Sequence, residues 1–429
     1  MTGEWRTVRI EEVAERVAMG PFGSSIKVET FVPDGVPVIS GQHLNGFKVD
    51  DSVGFNYITL DHAERLKNAN VQRGDVIFTH AGNIGQVAYV PPDSKHERYV
   101  ISQRQFYMRP DTSKVLPEFV VAYFKTAEGQ HKLLANTSQV GVPSIAQPVT
   151  YLRTIEIPLP PLPEQRAIAH ILGTLDDKIE LNRRMSETLE QMARALFKAW
   201  FVDFEPVRAK MEGRWRRGQS LPGLPAHLYD LFPERLVDSE LGEIPEGWEV
   251  ARLGDLIELA YGKSLKEQER RTGSVPVYGS NGQVGWHDEA LARGPGIVVG
   301  RKGNPGTVTW VPSDFFAIDT TFYVVRKSRC LSLYFLFYAL SSHDLPSLAA
   351  DSAVPGLNRN FVYANLQVYP STEVMDAFDK VVIPLFNQRY RNDVESRTLT
   401  TLRDALLPKL ISAEIRVKDA EQFLKERGL

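Results

Sequence analysis

Two stretches of the sequence carry side chains that could read DNA bases from loops at the ends of predicted strands. The run from Pro37 to Asn45 reads PVISGQHLN, and the run from Pro276 to Gly282 reads PVYGSNG. Amide side chains can hydrogen-bond adenine through two atoms, and arginine or lysine can do the same to guanine. Glycines beside them let the backbone approach a groove closely. The candidate base-reading residues are Lys27, Gln42, His43, Asn45, His80, Asn83, Gln103 and Arg104 in the first half, and Lys263, Tyr278, Ser280, Asn281, Arg301, Lys302, Asn304, Asn358 and Arg359 in the second.

The loops that supply these candidates occur in two equivalent copies. THAGN (79–83) in the first half corresponds to RKGN (301–304) in the second. A different interpretation is also open for each residue, because asparagine and glycine are favoured in turns that bind nothing. The pattern therefore indicates two recognition surfaces more strongly than it indicates any single contact.

Patterns typical of catalysis are missing from the sequence. It contains no GxxxxGK[ST] phosphate loop, no GxSxG elbow and no HExxH pair, and its nine histidines do not cluster. The Asp-Pro-Pro-Tyr or Asn-Pro-Pro-Tyr tetrapeptide of amino-methylating enzymes is absent, as is the spaced carboxylate set of nucleases. We expect no catalytic residue and no metal site in this chain.

Length and composition set the class of protein. A chain of 429 residues with 43% hydrophobic content predicts two or more domains. The single cysteine, Cys330, excludes an internal disulfide framework, and the apolar runs are too short to span a membrane. We expect a soluble, cytoplasmic protein. Its net charge of −3 means that any DNA contact must rely on locally focused basic residues or on partners.

The sequence repeats a helical pattern at a constant offset of about half its length. ELNRRMSETLEQMARAL (180–196) aligns without a gap to YRNDVESRTLTTLRDAL (390–406). Apolar residues spaced by four and three define a heptad seam in each copy, with a polar middle. We predict that the two helices pair as an antiparallel coiled coil, in which the asparagines fix the register; the alternative is that they face solvent. The predicted pairing residues are Leu175, Asn182, Leu189, Leu196, Leu385, Asn392, Leu399 and Leu406.

Each helix follows a predicted α+β module of short strands and turns. The strand runs PVIS (37–40), DVIFT (75–79) and QVAYV (86–90) have counterparts in IVVG (297–300) and TVTWV (307–311). The predicted parts are therefore a first module over 1–157, a first long helix over 158–204, an ordered linker over 205–247, a second module over 248–372, and a second helix with a tail over 373–429. Pro384 lies inside the second helix and is expected to kink or divide it.

Several segments resemble the DNA-specificity subunit of type I restriction–modification systems. They are PLPPLPEQ (158–165), SLPGLP (220–225), LVDSELGEIPEGW (236–248) and LRDALLPKLISAE (402–414), and the resemblance extends over essentially the whole chain. The second helix lacks the proline-rich entry of the first and is preceded by VYPST (368–372) instead, which departs from the pattern of the family. The base-contacting residues of this family vary, so the resemblance assigns none here.

The resemblance implies a function for the pair of modules. In that family, two target-recognition domains each read one half of a split double-stranded DNA site, and two paired helices hold them apart. Two methyltransferase subunits that carry S-adenosylmethionine bind alongside, and two ATP-driven, Mg-dependent restriction subunits can add. The chain itself binds no cofactor. Two other classes stay open: a stand-alone DNA methyltransferase or nuclease with a recognition domain, and an adaptor without a DNA role.

Overall fold

The structure is a computed structural model that describes residues 5–23, 25–138, 141–349 and 356–426. Buried β-branched and aromatic runs form the strands, as in the fully buried segment from Val76 to Thr79. The helices of the first half are α1 Ile10–Val13, α2 Leu60–Arg65, α3 Pro117–Lys125, α4 Ala127–Leu134, α5 Pro148–Thr154 and α6 Leu162–Phe201. The strands are β1 Arg6–Arg9, β2 Ala14–Met19, β3 Val36–Ile39, β4 Asn56–Ile58, β5 Asn70–Gln72, β6 Val76–Thr79, β7 Val87–Tyr89, β8 Arg98–Ile101, β9 Gln105–Pro110, β10 Thr137–Ser138, β11 Ser144–Ile145 and β12 Glu156–Leu159.

The second half repeats this series of elements after a linker. Its helices are α7 Glu205–Met211, α8 Leu253–Leu256, α9 Leu333–Ser342, α10 Arg359–Ala364, α11 Thr372–Ile411 and α12 Val417–Lys425. Its strands are β13 Leu236–Ser239, β14 Gly242–Pro245, β15 Glu249–Arg252, β16 Ile257–Tyr261, β17 Val275–Gly279, β18 Gly282–His287, β19 Gly296–Gly300, β20 Val308–Val311, β21 Phe316–Ala317, β22 Thr321–Arg326 and β23 Leu366–Tyr369.

The chain divides into two compact units, and the division passes through the middle of both long helices. Unit 1 comprises Met1–Arg183 together with Val394–Leu429, and unit 2 comprises Arg184–Asp393. Each unit therefore contains one module, one half of α6 and one half of α11. None of the helices in the described part of the chain is long and apolar enough to cross a membrane.

The two modules share one sheet topology, which confirms the predicted α+β fold. A four-stranded antiparallel sheet has the order β2-β9-β6-β7 in unit 1 and β16-β22-β19-β20 in unit 2. A parallel pair, β3 with β8 or β17 with β21, belongs to a further sheet in each unit. A two-stranded ribbon then joins the start of the module to the strand before the long helix: β1 pairs with β12, and β15 pairs with β23.

Within unit 1, the halves of the long helices run antiparallel. Arg403 Nη1 lies 2.8 Å from Asp176 Oδ1, and Asn182 donates to Glu395 Oε2 at 2.8 Å. Residue numbers along α6 therefore increase as those of their partners along α11 decrease, as in an antiparallel pair. Asn182 is 2% exposed, so its side chain does not face solvent. A buried, hydrogen-bonded asparagine favours one register of the pair.

Within unit 2, the other halves of the helices also run antiparallel. Asn392 donates to Ser186 Oγ at 3.4 Å, and Arg389 forms an ion pair with Glu190. Asn392 is 2% exposed and accepts from Gln388 Nε2 at 2.8 Å. The helix pairing predicted from the repeated pattern is therefore present in each unit.

The apolar seam does not keep to strict heptad positions along its whole length. Leu175, Leu399 and Leu406 are buried in the core of unit 1. Heptad spacing drifts around a straight helix by about 20° per repeat, so later positions leave the interface. In unit 2, the predicted residues Leu189, Leu196 and Leu385 are therefore only half-buried. The interior positions there belong to Ala193, Phe197, Phe378, Val382 and Phe386.

Pro384 does not divide the second helix, which was one of the two outcomes expected from the sequence. Helix α11 is continuous from Thr372 to Ile411. The proline ring is exposed, whereas Val382 and Phe386 on either side are buried in the unit 2 core. Water can therefore hydrate the backbone carbonyl that proline leaves without a donor, while the buried neighbours hold the helix together.

The joints between the modules and the long helices have defined strand and helix bounds. Strand β12 extends to Leu159, and Pro158 lies inside it opposite Thr7. A proline is tolerated there because the ribbon has two strands and both are edge strands. The first helix covers Leu162–Phe201, and the second begins at Thr372. Four apolar residues of the linker are buried in the core of unit 2, namely Trp215, Leu224, Phe232 and Ile244.

Candidate nucleic-acid interface

Three loops of unit 1 are joined by hydrogen bonds on one surface of the module. Gln86 Nε2 donates to the carbonyl of Gly41 at 3.0 Å and to Asn45 Oδ1 at 3.2 Å. The His80 backbone N–H donates to the carbonyl of Arg104 at 2.9 Å, and a nitrogen of its ring lies 3.1 Å from the carbonyl of Gln103. The surface that these loops form exposes Asn45, Asn83, Gln103 and Arg104.

The two histidines near this surface, His43 and His80, are uncharged and hold the loops through hydrogen bonds to the backbone. Burial lowers the pKa of His80 and of His43, so both rings are neutral near pH 7. His43 is 1% exposed, stacks on Phe55 at 4.3 Å between ring centroids and lies 3.0 Å from the Ser40 backbone nitrogen. It has no accessible face for a base. His43 therefore belongs to the core of the loop, and its assignment as a base-reading residue is withdrawn.

Two further candidates of unit 1 differ in their surroundings. Gln42 is exposed, and its amide donates to the carbonyl of Gly54 at 3.2 Å, which holds the amide against the 50s loop. Lys27 is exposed at the start of a 3₁₀ turn whose backbone bonds run to Thr30. The described contacts do not join Lys27 to the three loops.

Unit 2 presents the equivalent loops with more charge. Asn304 Nδ2 donates to Asn281 Oδ1 at 2.6 Å, which links the loop after β19 to the loop after β17. The backbone N–H groups of Arg301 and Lys302 both donate to the carbonyl of Thr320, at 2.9 and 3.0 Å. Ser280 is half-buried beside these loops, and Asn281, Lys302 and Asn304 are exposed.

Paired glycines shape the corresponding turn in each unit. Gly82 and Gly85 have φ of 82° and 86°, and Gly303 and Gly306 have φ of 81° and 83°. A side chain is strained at these angles, so the repeated Gly-Asn-x-Gly spacing follows from the backbone of the turn. The turn leaves Asn83 in one unit and Asn304 in the other exposed at its tip.

An exposed tyrosine that the sequence did not single out lies at the centre of the unit 2 surface. The guanidinium carbons of Arg301 and Arg359 are 4.9 and 5.0 Å from the ring centroid of Tyr261, whose exposure is 49%. Aromatic rings and guanidinium groups both stack on bases. The position directly before Gly262-Lys263 at the end of β16 could have identified this residue, because Lys263 was already a candidate.

Other predicted residues of unit 2 have structural roles. Tyr278 is 7% exposed and packs edge-on against Phe315 in a small core cluster, so it offers no face to a base and is withdrawn as a base reader. Asn358 caps α10 by accepting the Asn360 N–H at 2.9 Å. Lys263 is exposed, and its backbone N–H donates to the carbonyl of Ala317 at 3.0 Å.

The basic residues of these surfaces are not neutralised by nearby acids. Among the described residues, none of Arg104, Lys263, Arg301, Lys302 and Arg359 forms an ion pair. Arginines elsewhere on the chain do form such pairs: Arg214 binds Glu205, Arg235 binds Glu246 and Arg271 binds Asp288. Unpaired cations beside exposed amides are suited to phosphate and base contacts. The described part of the chain holds no cluster of acidic, histidine or cysteine residues able to bind a metal.

Two modules of one fold, each with an amide- and cation-rich loop surface and each ending in a long paired helix, define a two-part DNA-recognition protein. The chain belongs to the family described as type I restriction modification DNA specificity domain, which matches residues 2–191 and 245–362.

Individual relatives agree with this assignment. The chain is 26% identical over 408 residues to the type I restriction enzyme HindI specificity subunit of Haemophilus influenzae, covering 80% of this chain and 87% of the relative. It is 23% identical over 457 residues to the MjaIX specificity subunit of Methanocaldococcus jannaschii, covering 97% and 94%. The crystal structure of a type I S subunit from M. genitalium has the same fold, with a TM-score of 0.59, 18% identity and coverage of 95% and 96%.

Proposed function

We propose that this chain is the sequence-reading subunit of a type I restriction–modification complex and recognises a bipartite double-stranded DNA target, one half-site for each module. The family membership supplies the class of activity. The observation that carries the two-part reading is the occurrence of the same loop surface in both units. Among the described residues, Arg104 in one unit and Arg301 and Arg359 in the other form no ion pair, and both Arg301 and Arg359 lie over Tyr261.

In this proposal, other subunits of the complex methylate and cleave the DNA. Two methyltransferase subunits bring S-adenosylmethionine, and two restriction subunits bring ATP and Mg²⁺ where the system includes them. The chain is non-catalytic and positions these subunits on the target. The sequence supports this division, because it has neither the tetrapeptide of amino-methylating enzymes nor a nuclease carboxylate set.

A module exchange tests the two-part reading. The complex is reconstituted with its methyltransferase subunits after residues 1–155 are replaced by the equivalent module of a relative with a different target. Methylated positions are then mapped by sequencing a randomised DNA library. We expect one half-site to change and the other to stay. A change in both half-sites would contradict the assignment of one half-site to each module.

Binding of labelled S-adenosylmethionine distinguishes this proposal from a stand-alone methyltransferase. We expect the purified chain to retain no label, whereas the reconstituted complex retains it. Tight binding by the isolated chain would favour the enzyme. Cleavage of DNA by the isolated chain with Mg²⁺ would favour a nuclease in the same way.

A further inference from the structure

An open groove of about 920 Å³ lies in unit 1, at the joint between the module and the long helices. Trp5 forms part of one wall, Pro161 and Leu162 part of another, and Ile415 and Val417 part of a third. These side chains come from the start of β1, the entry to α6 and the segment that follows α11. The groove is separate from the three recognition loops, because none of their residues contributes to its lining.

The groove is strongly basic as well as apolar. Its lining includes Arg6, Lys114, Arg416 and Lys418 against a single carboxylate, Glu164. Lys114 is paired with Asp111 at 2.9 Å. Within the described residues, Arg6, Arg416 and Lys418 have no ion pair, and all three are exposed. An occupant that complements this lining must supply carboxylates together with apolar side chains.

The corresponding joint in unit 2 is covered by the chain's own linker. Trp248 occupies the place of Trp5, directly before the strand that pairs with the entry to the long helix. It is 7% exposed and packs against Phe201 and Phe204 at 6.0 and 5.8 Å between centroids. Linker residues join the same buried cluster, among them Ile244 at 4% exposure. Trp5, in contrast, is only half-buried.

The backbone after each long helix has the same form in both units. The chain takes a left-handed conformation at Phe204, with φ of 52°, before α7, and at Ala413, with φ of 60°, before α12. In unit 2 the linker continues from α7 to the hairpin β13–β14, whose Ile244 belongs to the same buried cluster as Trp248. In unit 1, α12 buries Val417 and Ala420, and the described residues include no counterpart of that hairpin.

The hairpin of unit 2 shows which kind of segment this fold accepts beside the tryptophan. Residues 236–247 read LVDSELGEIPEG, with four acidic residues, no basic residue and a buried isoleucine. A segment of this composition would place carboxylates near the unpaired cations of the unit 1 groove and an apolar anchor near Trp5. Both the positive charge and the apolar lining of the groove therefore favour an acidic segment with an apolar side chain.

We propose that the unit 1 groove is a docking site for an acidic segment with an apolar anchor, supplied by a methyltransferase subunit of the complex. This inference rests on the proposed function, because that function introduces the methyltransferase subunit as a partner. A protein segment fits better than a DNA strand, because prolines, leucines, isoleucine and valine form much of the lining. The contact is ionic in part, so it weakens as salt rises.

Charge reversal in the full-length chain tests the groove. The double variant Arg416→Glu/Lys418→Glu is titrated with the purified methyltransferase subunit, and the dissociation constant is measured at two salt concentrations. We expect affinity to fall at least tenfold at low salt and its salt dependence to become shallower. The matched control is Arg65→Glu/Lys67→Glu, which changes the same charge at exposed positions of unit 1 outside the groove.

Four outcomes separate the possibilities. Equal affinities for the groove variant and the control would overturn the docking site. Unchanged subunit affinity with weaker binding of nonspecific DNA would also overturn it, since the groove would then contact nucleic acid. If the groove variant still methylates the wild-type target at saturating methyltransferase subunit, the proposed function survives independently. If the wild-type chain itself forms no complex, the proposed function fails rather than the groove alone.

Discussion

Gln165 Oε1 accepts the backbone N–H of Leu116 at 2.8 Å, at the point where the first long helix meets helix α3 of its module. The same side chain donates to the carbonyl of Lys114 at 3.0 Å and to that of Pro160 at 2.8 Å. Gln165 is fully buried. One buried amide thus hydrogen-bonds three backbone groups from two segments and fixes the helix to the module.

Replacing Gln165 by leucine should destabilise unit 1 by about 1–3 kcal/mol, because the backbone groups of this joint lose their side-chain partner. Hydrogen exchange of the peptides covering α3 and the start of α6 measures this loss directly. The control is Gln191→Leu, the same change at an exposed position of the same helix. Equal protection of α3 in the two variants would show that the three hydrogen bonds contribute little to this joint.

The equivalent joint of unit 2 uses a carboxylate instead of an amide. Ser332 Oγ caps α9 by accepting the Phe335 N–H at 2.9 Å and donates to Asp379 Oδ1 at 2.6 Å. Burial raises the pKa of Asp379 to about 6, although the Ser332 hydrogen bond opposes that rise. The folded state therefore binds this proton more tightly than the unfolded chain. The corresponding stability is present below about pH 4 and is lost as pH rises through about 6.

Substituting Asp379 by asparagine should flatten the dependence of unit 2 stability on pH between about 4 and 7. The amide oxygen can still accept from Ser332, and no charge needs to be buried. At pH 7.5 we expect a gain on the order of 1–2 kcal/mol, after allowance for partial solvent screening. Tryptophan fluorescence during denaturant unfolding is a suitable probe, because five of the six tryptophans lie in unit 2. Asp376→Asn, at an exposed neighbouring position, removes a charge that adds to the raised pKa of Asp379 less than burial does, and should leave most of the pH dependence in place.

Sequence periodicity predicted the fold well because it depends on burial. The two long helices and the strand runs follow from repeated apolar spacing. Asn182 and Asn392 are buried, as expected for residues at the interface between the paired helices. Contacts between segments that are distant in the sequence could not be predicted from periodicity. The three partners of Gln165, for example, depend on where α3 begins, which the local sequence does not show. Sequence alone does not show which side of a helix faces water, so it left open whether Pro384 would divide α11.

The candidate interface was predicted as a set of loops more reliably than as a set of side chains. The Gly-Asn-x-Gly turns and the cations of unit 2 lie at the surface, because their composition dictates backbone form and exposure. Burial of His43 and Tyr278 depends on ring packing with Phe55 and Phe315, which local sequence does not reveal. Tyr261 was not predicted as a site residue, because an aromatic residue at the end of a strand usually packs in the core, whereas this one is exposed.

Replacing Pro384 by alanine should stabilise unit 2 by about 1–3 kcal/mol. The change restores one hydrogen bond in α11 and removes the clash of the proline ring with the preceding turn. Denaturant unfolding followed by fluorescence reports the gain. Pro163→Ala provides the matched control, because Pro163 lies in the first turn of α6, where backbone N–H groups have no helical partner. A gain no larger than that of the control would mean that α11 already accommodates the proline without cost.

Arg301 and Arg359 should contribute to DNA affinity through both charge and stacking around Tyr261. In the reconstituted complex, Arg301→Ala/Arg359→Ala should weaken binding and reduce the slope of log affinity against log salt by about two, since each cation neutralises about one phosphate. Arg301→Lys/Arg359→Lys keeps the charge but loses the planar group that lies over the ring. That variant should keep the slope and lose discrimination in the second half-site only. Arg271→Ala removes an arginine already paired with Asp288 and should leave both quantities unchanged. An unaltered salt slope in the alanine variant would place the phosphate contacts of unit 2 elsewhere.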